Sequence, residues 1–422
     1  MDLYTLTLLI YNASMVPIIA FSIIFIIFSL INIFIKQKRE KYKLKELPFV
    51  SVQIPSFNDP VAARCVEHCM RFDYPKDKYE IIIVDDSTNP ETQALLMKYA
   101  DENPGFVKYT HRNNRHGFKP GALKEAMKIT KGEILVLFDA DWMPKKDFLK
   151  KIVQPFADEK IAIVQTKQGF YNKNKNWITR FAAYTLMMYH EIVMPIHDKA
   201  NSVFFCGTAG AIRRSAFEEV GGWNTNSITE DSELTVRLLK KGYKTKYLPI
   251  ETKSEVPETI EGFVKQQMRW CYGNTRVFID NFSDIWLKKG LTLKQRIMIT
   301  YVTLGNIIAP VVIIMTITGM LGWFTGEPKL FTLSEFWNTI AKFIYTAGFV
   351  FMGIVMLLKR KTLKKDIKYL VYTTLSVGIV LALTNSYAFL RAVVNKKLTW
   401  HCTPKKDNSE IAKTFVVKGL TK

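Results

Sequence analysis

The sequence predicts an α/β protein with a mostly parallel sheet flanked by helices, joined to transmembrane and interfacial helices. From residue 49 onward, short apolar runs alternate with helical stretches, which is the pattern of a parallel sheet. Long apolar segments lie before and after this region of the 422-residue chain. A soluble α/β unit attached to a membrane is the architecture that accounts for both observations.

The strongly positive charge of the chain also fits a membrane protein. The formal net charge is +21, and lysines cluster beside the apolar runs, as at the cytoplasmic edges of membrane proteins. Charge alone would allow a nucleic-acid binder, but that class interleaves basic and aromatic residues on one surface, and here the lysines are dispersed or flank the membrane. We therefore expect no nucleic-acid partner. The five scattered cysteines do not form a disulfide framework, which suits a reducing cytoplasm.

The first apolar segment, residues 8–35, is long enough to span a bilayer. A cleaved signal peptide is disfavoured because the start of the chain carries no positive side chain and the apolar run is too long. The basic residues 36–43 place this end in the cytoplasm, so we expect the amino terminus outside.

Six apolar runs are predicted to be strands, and two of them end on pairs of acids. The predicted strands are residues 49–54, 79–84, 107–110, 134–138, 161–165 and 203–206. The first ends in a turn, residues 55–59, that could cap the next helix. The second ends on Asp85 and Asp86, and the fourth is followed by Asp139 and Asp141. Ligands of open α/β sheets bind at the carboxyl ends of strands, so these acids are candidates for a binding site.

Asp139 and Asp141 fit a divalent metal site. Hard carboxylate oxygens together with substrate phosphates suit Mg²⁺ or Mn²⁺. The alternative is an ordinary exit from a strand with solvated acids, because a lone Asp-x-Asp is a weak motif.

Two glycine-bearing loops provide further candidates. Residues 116–121 open a helix and contain Lys119, which offers a cation and backbone N–H groups to a diphosphate. Residues 204–208 end in a glycine turn where the backbone can approach a sugar ring closely.

Two predicted helices carry the remaining polar candidates. Glu230 fits a capping box at the start of one helix, which leaves Asp231 free for chemistry. In the helix over residues 258–280, Gln266, Arg269 and Trp270 share one face and can hydrogen-bond and stack on a ligand. The alternative for this helix is an amphipathic surface helix with an aromatic anchor.

Three apolar segments follow, at residues 298–324, 340–358 and 369–390. The basic residues 359–365 mark a cytoplasmic loop between the last two. If all three segments crossed the membrane, the basic tail would lie outside, against the positive-inside rule. We therefore expect the second half of the third segment to lie along the membrane interface. The predicted divisions of the chain are residues 1–46, 47–255, 256–297, 298–396 and 397–422.

The order of these motifs resembles the membrane-bound family 2 glycosyltransferases, and within them the cellulose synthase and cellulose-synthase-like mannan or glucan synthase branch. The resemblance is carried by Asp85-Asp86, Lys119 in Gly-Phe-Lys-Pro-Gly, Asp139-x-Asp141, Phe-Phe-Cys-Gly-Thr, Thr-Glu-Asp and Gln266-x-x-Arg269-Trp270. It is dense over about residues 48–280 and loose in the membrane part. It implies a cytoplasmic catalytic domain of the GT-A fold, which is Rossmann-like.

The resemblance also implies roles for individual residues. Asp231 would be the catalytic base, and Asp139 and Asp141 would hold Mg²⁺ or Mn²⁺. The nucleotide-sugar would be bound by Ser56, Asp59, Asp85 or Asp86, Lys119, Asp139, Gln266, Arg269, Trp270, Thr403 and Lys405, the last two in a tail segment similar to a gating loop. The acceptor would be bound by Phe205, Cys206, Gly207, Thr208, Glu230 and Trp270.

The implied activity is inverting transfer from a UDP- or GDP-linked sugar to the end of a growing β-linked polysaccharide, passed out through the membrane. The implied setting is the cell membrane, with the lipid bilayer as a partner. The main alternative is non-processive addition of one sugar to a lipid acceptor, as in the ceramide glucosyltransferases. A degenerate, non-catalytic transferase is disfavoured because every acid of the motif set is present.

Overall fold

The computed structural model describes residues 1–34, 42–326 and 333–396. Its centre is a seven-stranded sheet in the order β3-β2-β1-β4-β6-β5-β7. The strands are β1 (Val50–Ser56), β2 (Tyr79–Asp85), β3 (Val107–His111), β4 (Ile134–Leu137), β5 (Ile161–Phe170), β6 (Gly210–Arg213) and β7 (Lys244–Ser254). Only β6 runs antiparallel to its neighbours, so the predicted mostly parallel sheet is confirmed.

Five of the six predicted strands are present, and one prediction is wrong. Residues 203–206 form no strand; the strand in this region is β6, a few residues later. The apolar side chains there are buried, but the backbone bonds to side chains: Phe205 N–H donates to Thr235 Oγ1 at 3.0 Å and Cys206 N–H to Gln165 Oε1 at 2.9 Å. The prediction also missed β7, at the edge of the sheet.

The strands bury both faces because alternate residues point to opposite sides. Val52 and Ile81 belong to a cluster on one face, with the helices over residues 62–70 and 148–152, and Ile82 and Leu135 to a cluster on the other, with the helix over residues 118–126. The helices of this unit are α2 (Ala62–Met70), α3 (Pro90–Glu102), α4 (Phe118–Ala126), α5 (Phe148–Ile152), α6 (Trp177–Met188), α7 (Met194–Lys199), α8 (Arg214–Glu219) and α9 (Glu230–Lys240). A single π-helical turn, Tyr189–Val193, joins α6 to α7.

The remaining helices are long or apolar. They are α1 (Leu3–Phe34), α10 (Ile260–Trp286), α11 (Leu293–Leu304), α12 (Ile308–Thr325), α13 (Leu333–Thr346), α14 (Gly348–Lys359) and α15 (Leu363–Val393). In the described part of the chain, three helices are long and apolar enough to cross a membrane, or four if the pair α13–α14 counts as one span.

The span predicted over residues 340–358 is divided between α13 and α14, which meet at a bend of 60° and together are long and apolar enough to cross a membrane. The bend lies at Gly348, whose N–H donates to Ser22 Oγ of α1 at 2.8 Å. A Cβ at position 348 would lie 2.3 Å from the Ser22 carbonyl oxygen, so only glycine allows this approach. The last segment is one continuous helix, α15, and the interfacial position of its second half stays a prediction.

A partly buried ion-pair cluster connects the apolar helices to the sheet. Glu191, in the π-helical turn, accepts hydrogen bonds from Arg360 at the end of α14 and forms an ion pair of 2.8 Å with Lys167 of β5. Asn32 of α1 donates to the carbonyl of Ile192 in the same turn. The apolar helices and the α/β unit therefore share both an apolar core and a set of charges.

Candidate active site

One cavity of about 1690 Å³ lies at the carboxyl ends of the strands, between the sheet and α10. It spans the point where the strand order reverses around β1, which is where ligands bind in open α/β sheets. The predicted residues that line it are Ser56, Asp59, Asp86, Lys119, Asp139, Asp141, Phe205, Cys206, Gly207, Thr208, Glu230, Asp231, Gln266, Arg269 and Trp270. Thr403 and Lys405 lie outside the described residues.

Asp85 is the one described candidate that does not line the cavity. Its carboxylate accepts from Ser87 N–H at 3.1 Å and from the Tyr109 hydroxyl at 2.8 Å. These bonds fix the loop that follows β2. Of the two acids predicted at this strand end, Asp86 is therefore the one exposed to a ligand in the cavity.

Asp86 is held by a partner that the sequence analysis missed. The guanidinium of Arg112 donates to both Asp86 oxygens, with Nε 2.8 Å from Oδ1. Arg112 also donates to the carbonyls of His116 (3.0 Å) and Phe118 (3.1 Å). Because a guanidinium donates several hydrogen bonds in one plane, Arg112 binds the end of β2 and the loop 116–121 at the same time and holds them together.

The loop 116–121 takes its shape from two glycines. Gly117 has a φ of +70°, a left-handed conformation that favours glycine. Gly121 lies so close to the returning chain that a Cβ there would be 2.1 Å from the His116 carbonyl oxygen. The turn places Lys119 in the first turn of α4, with its ammonium in the cavity.

Lys119 connects the acidic strand end to the glycine turn at Gly207. Its Nζ lies 2.5 Å from Asp139 Oδ1 and donates to the carbonyl oxygen of Gly207 at 2.9 Å. Burial by itself would lower the pKa of Lys119, but the negative charges of Asp139 and Glu230 raise it above its ordinary value. Lys119 is therefore a permanent cation in the cavity, suited to an anionic ligand.

The two acids after β4 are fixed by backbone contacts. Asp139 N–H donates to Thr208 Oγ1 at 2.9 Å, and Asp141 Oδ2 accepts from Glu255 N–H at 2.8 Å. Asp141 is buried, whereas the side chain of Asp139 is 40% exposed. The backbone of Asp139 and the carboxylate of Asp141 are thereby held at the wall of the cavity, and the Asp139 carboxylate is held by Lys119.

These acids fit a divalent cation that takes part of its coordination from a ligand. Within residues 1–34, 42–326 and 333–396, no group of three or more His, Cys, Asp or Glu could hold a metal alone. Mg²⁺ and Mn²⁺ are commonly bound by one or two carboxylates together with substrate phosphates. Asp139 and Asp141 supply a donor set of that kind.

Asp231 lies in the first turn of α9 with its carboxylate in the cavity. Its Oδ1 accepts from Ser232 N–H at 2.8 Å. Burial raises the pKa of Asp231 above its ordinary value, against the lowering effects of that bond and of Lys119. A buried carboxylate with a raised pKa is a stronger base than a solvated one, so Asp231 is suited to accept a proton.

The neighbouring Glu230 is buried, and its burial, followed by the negative charge of Asp231, raises its pKa to about 7. Two adjacent buried acids with raised pKa values are a feature of active sites.

One face of α10 forms the wall opposite the sheet. Gln266, Arg269, Trp270 and Asn274 all line the cavity at helical spacing. Gly273 lies on this face against Thr229, and a Cβ there would be 2.3 Å from Thr229 Cγ2. The predicted shared face is confirmed, and the helix itself is longer than predicted.

The cavity extends beyond the polar site to the apolar helices. Phe21 and Phe25 of α1, together with Tyr301 of α11, line its far end. Phe21 stacks on Tyr301 with ring centroids 6.3 Å apart, and Phe25 meets the same ring edge-on. The polar wall and the apolar wall therefore belong to one continuous space.

The chain belongs to the family described as glycosyltransferase like family 2, whose profile matches residues 48–273, more than half of the chain. Among curated proteins it is 31% identical over 299 residues to glucomannan 4-beta-mannosyltransferase 9 of Arabidopsis thaliana, a match that covers 65% of this chain and 56% of that protein. It is 35% identical over 265 residues to the probable glucomannan 4-beta-mannosyltransferase 11 of Oryza sativa subsp. japonica, covering 60% and 46%. The chain thus spans about half the length of these relatives.

Among solved structures, the chain resembles the mannosyltransferase PcManGT from Pyrobaculum calidifontis, solved in complex with GDP-Man and Mn²⁺. The TM-score is 0.66 at 16% identity, and the match covers 94% of this chain and 100% of that one. At this identity the similarity concerns the fold, and it confirms the predicted GT-A architecture with apolar helices. The resemblance to the mannan or glucan synthase branch agrees with the names of these curated relatives, which are glucomannan mannosyltransferases.

Proposed function

We propose that this chain is an inverting glycosyltransferase that transfers a mannosyl residue from a nucleoside-diphosphate mannose to a hydroxyl of a glycan, with formation of a β-linkage. The observation that carries the proposal is the convergence of a cation, two metal-ligand candidates and a buried base on one cavity, through Lys119, Asp139, Asp141 and Asp231. The names of the curated relatives support mannose as the sugar.

The donor would lie along the strand ends. Lys119 and Arg269 are the cations that would contact the diphosphate, and Asp86 would contact the base or ribose. Ser56 and Asp59, at the end of β1, would complete the nucleoside side of the site. Arg112 bonds both to Asp86 and to the loop 116–121. It would therefore fix the nucleoside part of the site relative to the phosphate part.

Asp139 and Asp141 would hold Mg²⁺ or Mn²⁺ when the donor binds. A divalent cation there would stabilise the negative charge that develops on the departing diphosphate. Arg269 would contribute to the same stabilisation from the opposite wall.

The transfer itself needs one base. The oxygen of the acceptor hydroxyl attacks the anomeric carbon, and the proton of that hydroxyl moves to the carboxylate of Asp231. The bond from the anomeric carbon to the diphosphate oxygen breaks, and the nucleoside diphosphate leaves with the bonding electrons. Attack from the face opposite the leaving group inverts the anomeric carbon, so an α-linked donor gives a β-linked product.

We further propose that the acceptor is the end of a growing polysaccharide and that the apolar helices pass the product out of the cell. The acceptor would lie over Trp270, between Glu230 and the turn from Phe205 to Thr208. In this arrangement the α/β unit and the tail with Thr403 and Lys405 are cytoplasmic, the amino terminus is outside, and the protein resides in the cell membrane.

A second candidate function is the addition of one mannose to a lipid acceptor. It is favoured by Phe21 and Phe25, because an apolar wall in the same cavity could receive a lipid chain. A product longer than one added sugar supports polymer extension, and a single addition supports the lipid acceptor.

The test is incubation of the purified full chain in lipid nanodiscs with GDP-mannose and, in parallel, UDP-linked sugars, with Mg²⁺ or Mn²⁺. Nucleotide release and product mass are measured. Release from GDP-mannose with mannose-containing product supports the proposal. A preference for a UDP-sugar would overturn the choice of mannose, and no release from any donor would overturn the enzymatic function.

A further inference from the structure

A cluster of exposed lysines lies where α14 passes into α15. Lys361, Lys364, Lys365 and Lys368 are exposed, and within the described residues none of them forms an ion pair. Asp366 is the one acid in the sequence from residue 359 to residue 368, and it is only 3% exposed. We call the four residues the lysine cluster; none of them lines the main cavity. The lysine cluster is therefore a surface of uncompensated positive charge outside the catalytic site.

The same face of α15 continues as an aromatic and then an apolar surface. Lys368 is followed at helical spacing by Tyr372, Leu375 and Ile379, each of which is more than 60% exposed. The part of the helix over Thr374–Val393 is long and apolar enough to cross a membrane. Apolar side chains that are exposed along one face of such a helix indicate a surface in contact with lipid. The lysine cluster therefore lies where the lipid-facing surface of α15 begins.

Aromatic side chains from two helices indicate that this surface lies at the membrane–water interface. Trp177, at the start of α6, meets the ring of Tyr372 edge-on, with the ring centroids 6.3 Å apart. Arg180 of the same helix places its guanidinium 4.1 Å from the centroid of the Tyr369 ring. Trp and Tyr are enriched at membrane interfaces, because their rings are apolar at one end and polar at the other. The starts of α6 and α15 thus form one surface of the interfacial kind, beside the lysine cluster.

The chemistry of this surface favours an anionic phospholipid. A basic residue close to an anionic membrane surface contributes about fivefold in affinity, and clusters of about four or more beside a membrane helix are typical of sites for anionic headgroups. A nucleic acid or an acidic protein would compensate the lysines but would leave the adjoining apolar face of α15 in water. A zwitterionic lipid would cover the apolar face but would not neutralise the lysines. An anionic phospholipid does both.

We propose that the lysine cluster binds the headgroup of an anionic phospholipid in the leaflet that faces the α/β unit. The phosphate oxygens accept hydrogen bonds from the lysine ammonium groups, and the acyl chains lie along Tyr372, Leu375 and Ile379. The proposal goes beyond the transferase activity, because it names the chemistry of the lipid that this chain selects from the bilayer. It does not depend on the identity of the sugar donor or of the acceptor.

The test measures the binding of two soluble short-chain lipids to the full chain in an uncharged detergent, by microscale thermophoresis. The wild type should bind dioctanoyl-phosphatidylglycerol at least about 10-fold more tightly than dioctanoyl-phosphatidylcholine at low salt. This preference should shrink in about 0.5 M NaCl, where exposed charges are strongly screened. Replacement of all four lysines of the cluster by glutamine should weaken phosphatidylglycerol binding at least about 10-fold and leave phosphatidylcholine binding unchanged.

Two further variants control for fold and for total charge. Replacement of the same four lysines by arginine retains the charge and should retain the affinity for phosphatidylglycerol. A matched glutamine variant at four exposed lysines of the α/β unit outside the cavity removes the same total charge and should bind the lipid as the wild type does; its positions are Lys124, Lys131, Lys145 and Lys146. The Tm of each variant establishes that it is folded.

The lipid site is overturned if the wild type binds the two lipids equally, or if the glutamine variant of the lysine cluster keeps its affinity for phosphatidylglycerol. It is also overturned if the matched variant in the α/β unit loses as much affinity. Inorganic phosphate, added at constant ionic strength, should not displace the lipid; complete displacement would indicate a site for free anions and would overturn the choice of a phospholipid. Nucleotide release enters none of these measurements, so the lipid site and the proposed function can fail separately.

Discussion

Gly207 packs directly against the carboxylate of Asp231, and a Cβ at position 207 would lie 3.0 Å from Asp231 Oδ2. The carbonyl of the same glycine accepts the hydrogen bond from Lys119. The proposed base and the cation that pairs with Asp139 are therefore positioned by one turn of the backbone.

Gly207→Ala should reduce activity by more than the accompanying loss of stability explains. Gly207 has a φ of +72°, so alanine is strained there, and its methyl group also displaces Asp231. We expect kcat to fall about 10- to 100-fold, since small displacements of a catalytic group have effects of this size. Gly105→Ala is the matched control, because Gly105 has a φ of +79° with nothing within 4 Å. It should lower Tm similarly and leave kcat unchanged; equal kcat values for the two variants would contradict the proposed contact.

Asp231→Asn should abolish transfer while donor binding persists. The amide has the shape of the carboxylate but cannot accept the proton, so kcat should fall about 10²- to 10⁴-fold. GDP affinity, measured by isothermal titration, should stay within about twofold, that is, within roughly 0.4 kcal/mol. Asp73→Asn, at an exposed ion pair outside the cavity, is the control for general effects of charge. Undiminished transfer by Asp231→Asn would assign the base to another group.

Asp141→Asn should weaken nucleotide binding only when metal is present. Asparagine can still accept from Glu255 N–H, so the local fold is retained while the anionic metal ligand is lost. The Kd for GDP in Mn²⁺ should rise at least about 10-fold, roughly 1.4 kcal/mol. In EDTA, wild type and variant should bind GDP equally. A loss of affinity that is the same in EDTA would assign Asp141 a role other than metal binding.

Arg112→Lys should weaken donor binding, although Arg112 itself does not line the cavity. Lysine keeps the charge but not the fork that holds both Asp86 oxygens and two loop carbonyls. We expect the KM for the donor to rise about 3- to 10-fold with little change in kcat. Arg71→Lys is the control, at a side chain that is 63% exposed. A kcat effect without a KM effect would contradict a role in shaping the donor site.

Glu230→Gln should change how stability depends on pH. The pKa of Glu230 in the folded chain, about 7, lies above its ordinary value of 4.5. Its contribution to stability is therefore fully present below about pH 4.5 and is lost as the pH rises through 7, by up to ~3 kcal/mol. Glutamine does not titrate, so the Tm of the variant relative to the wild type should rise between pH 5 and 8. A constant difference in Tm over this range would show that the pKa of Glu230 is not raised.

The strand ends and their acids were predictable because the information is local. An apolar run followed by Asp139 and Asp141 identifies a strand and its carboxyl end without reference to the remaining chain. The helical spacing of Gln266, Arg269 and Trp270 likewise fixes a shared face. The family resemblance added the order of the motifs, and the structure brings the described ones to one cavity, Asp85 excepted.

The errors arose where distant residues decide the local structure. Residues 203–206 are as apolar as a strand, yet their N–H groups bond to Thr235 and Gln165, which lie 30 or more positions away. The edge strand β7 was missed because it carries several lysines and Pro249, which are typical of sheet edges but weaken a strand pattern. Arg112 belongs to no motif, and its role follows only from the fold.

The charge cluster around Glu191 has a practical consequence for anyone who wishes to isolate the catalytic unit. A shortened protein that ends before α12 would lose Arg360, and one that begins after α1 would also lose the bond from Asn32. Glu191, whose side chain is 11% exposed in the full chain, would keep Lys167 as a partner. Removal of one partner from a buried ion pair costs up to about 3–5 kcal/mol, and less where loss of the helices exposes the carboxylate to water. Soluble expression of residues 48–273 should therefore be paired with a neutral residue at position 191, such as Glu191→Gln.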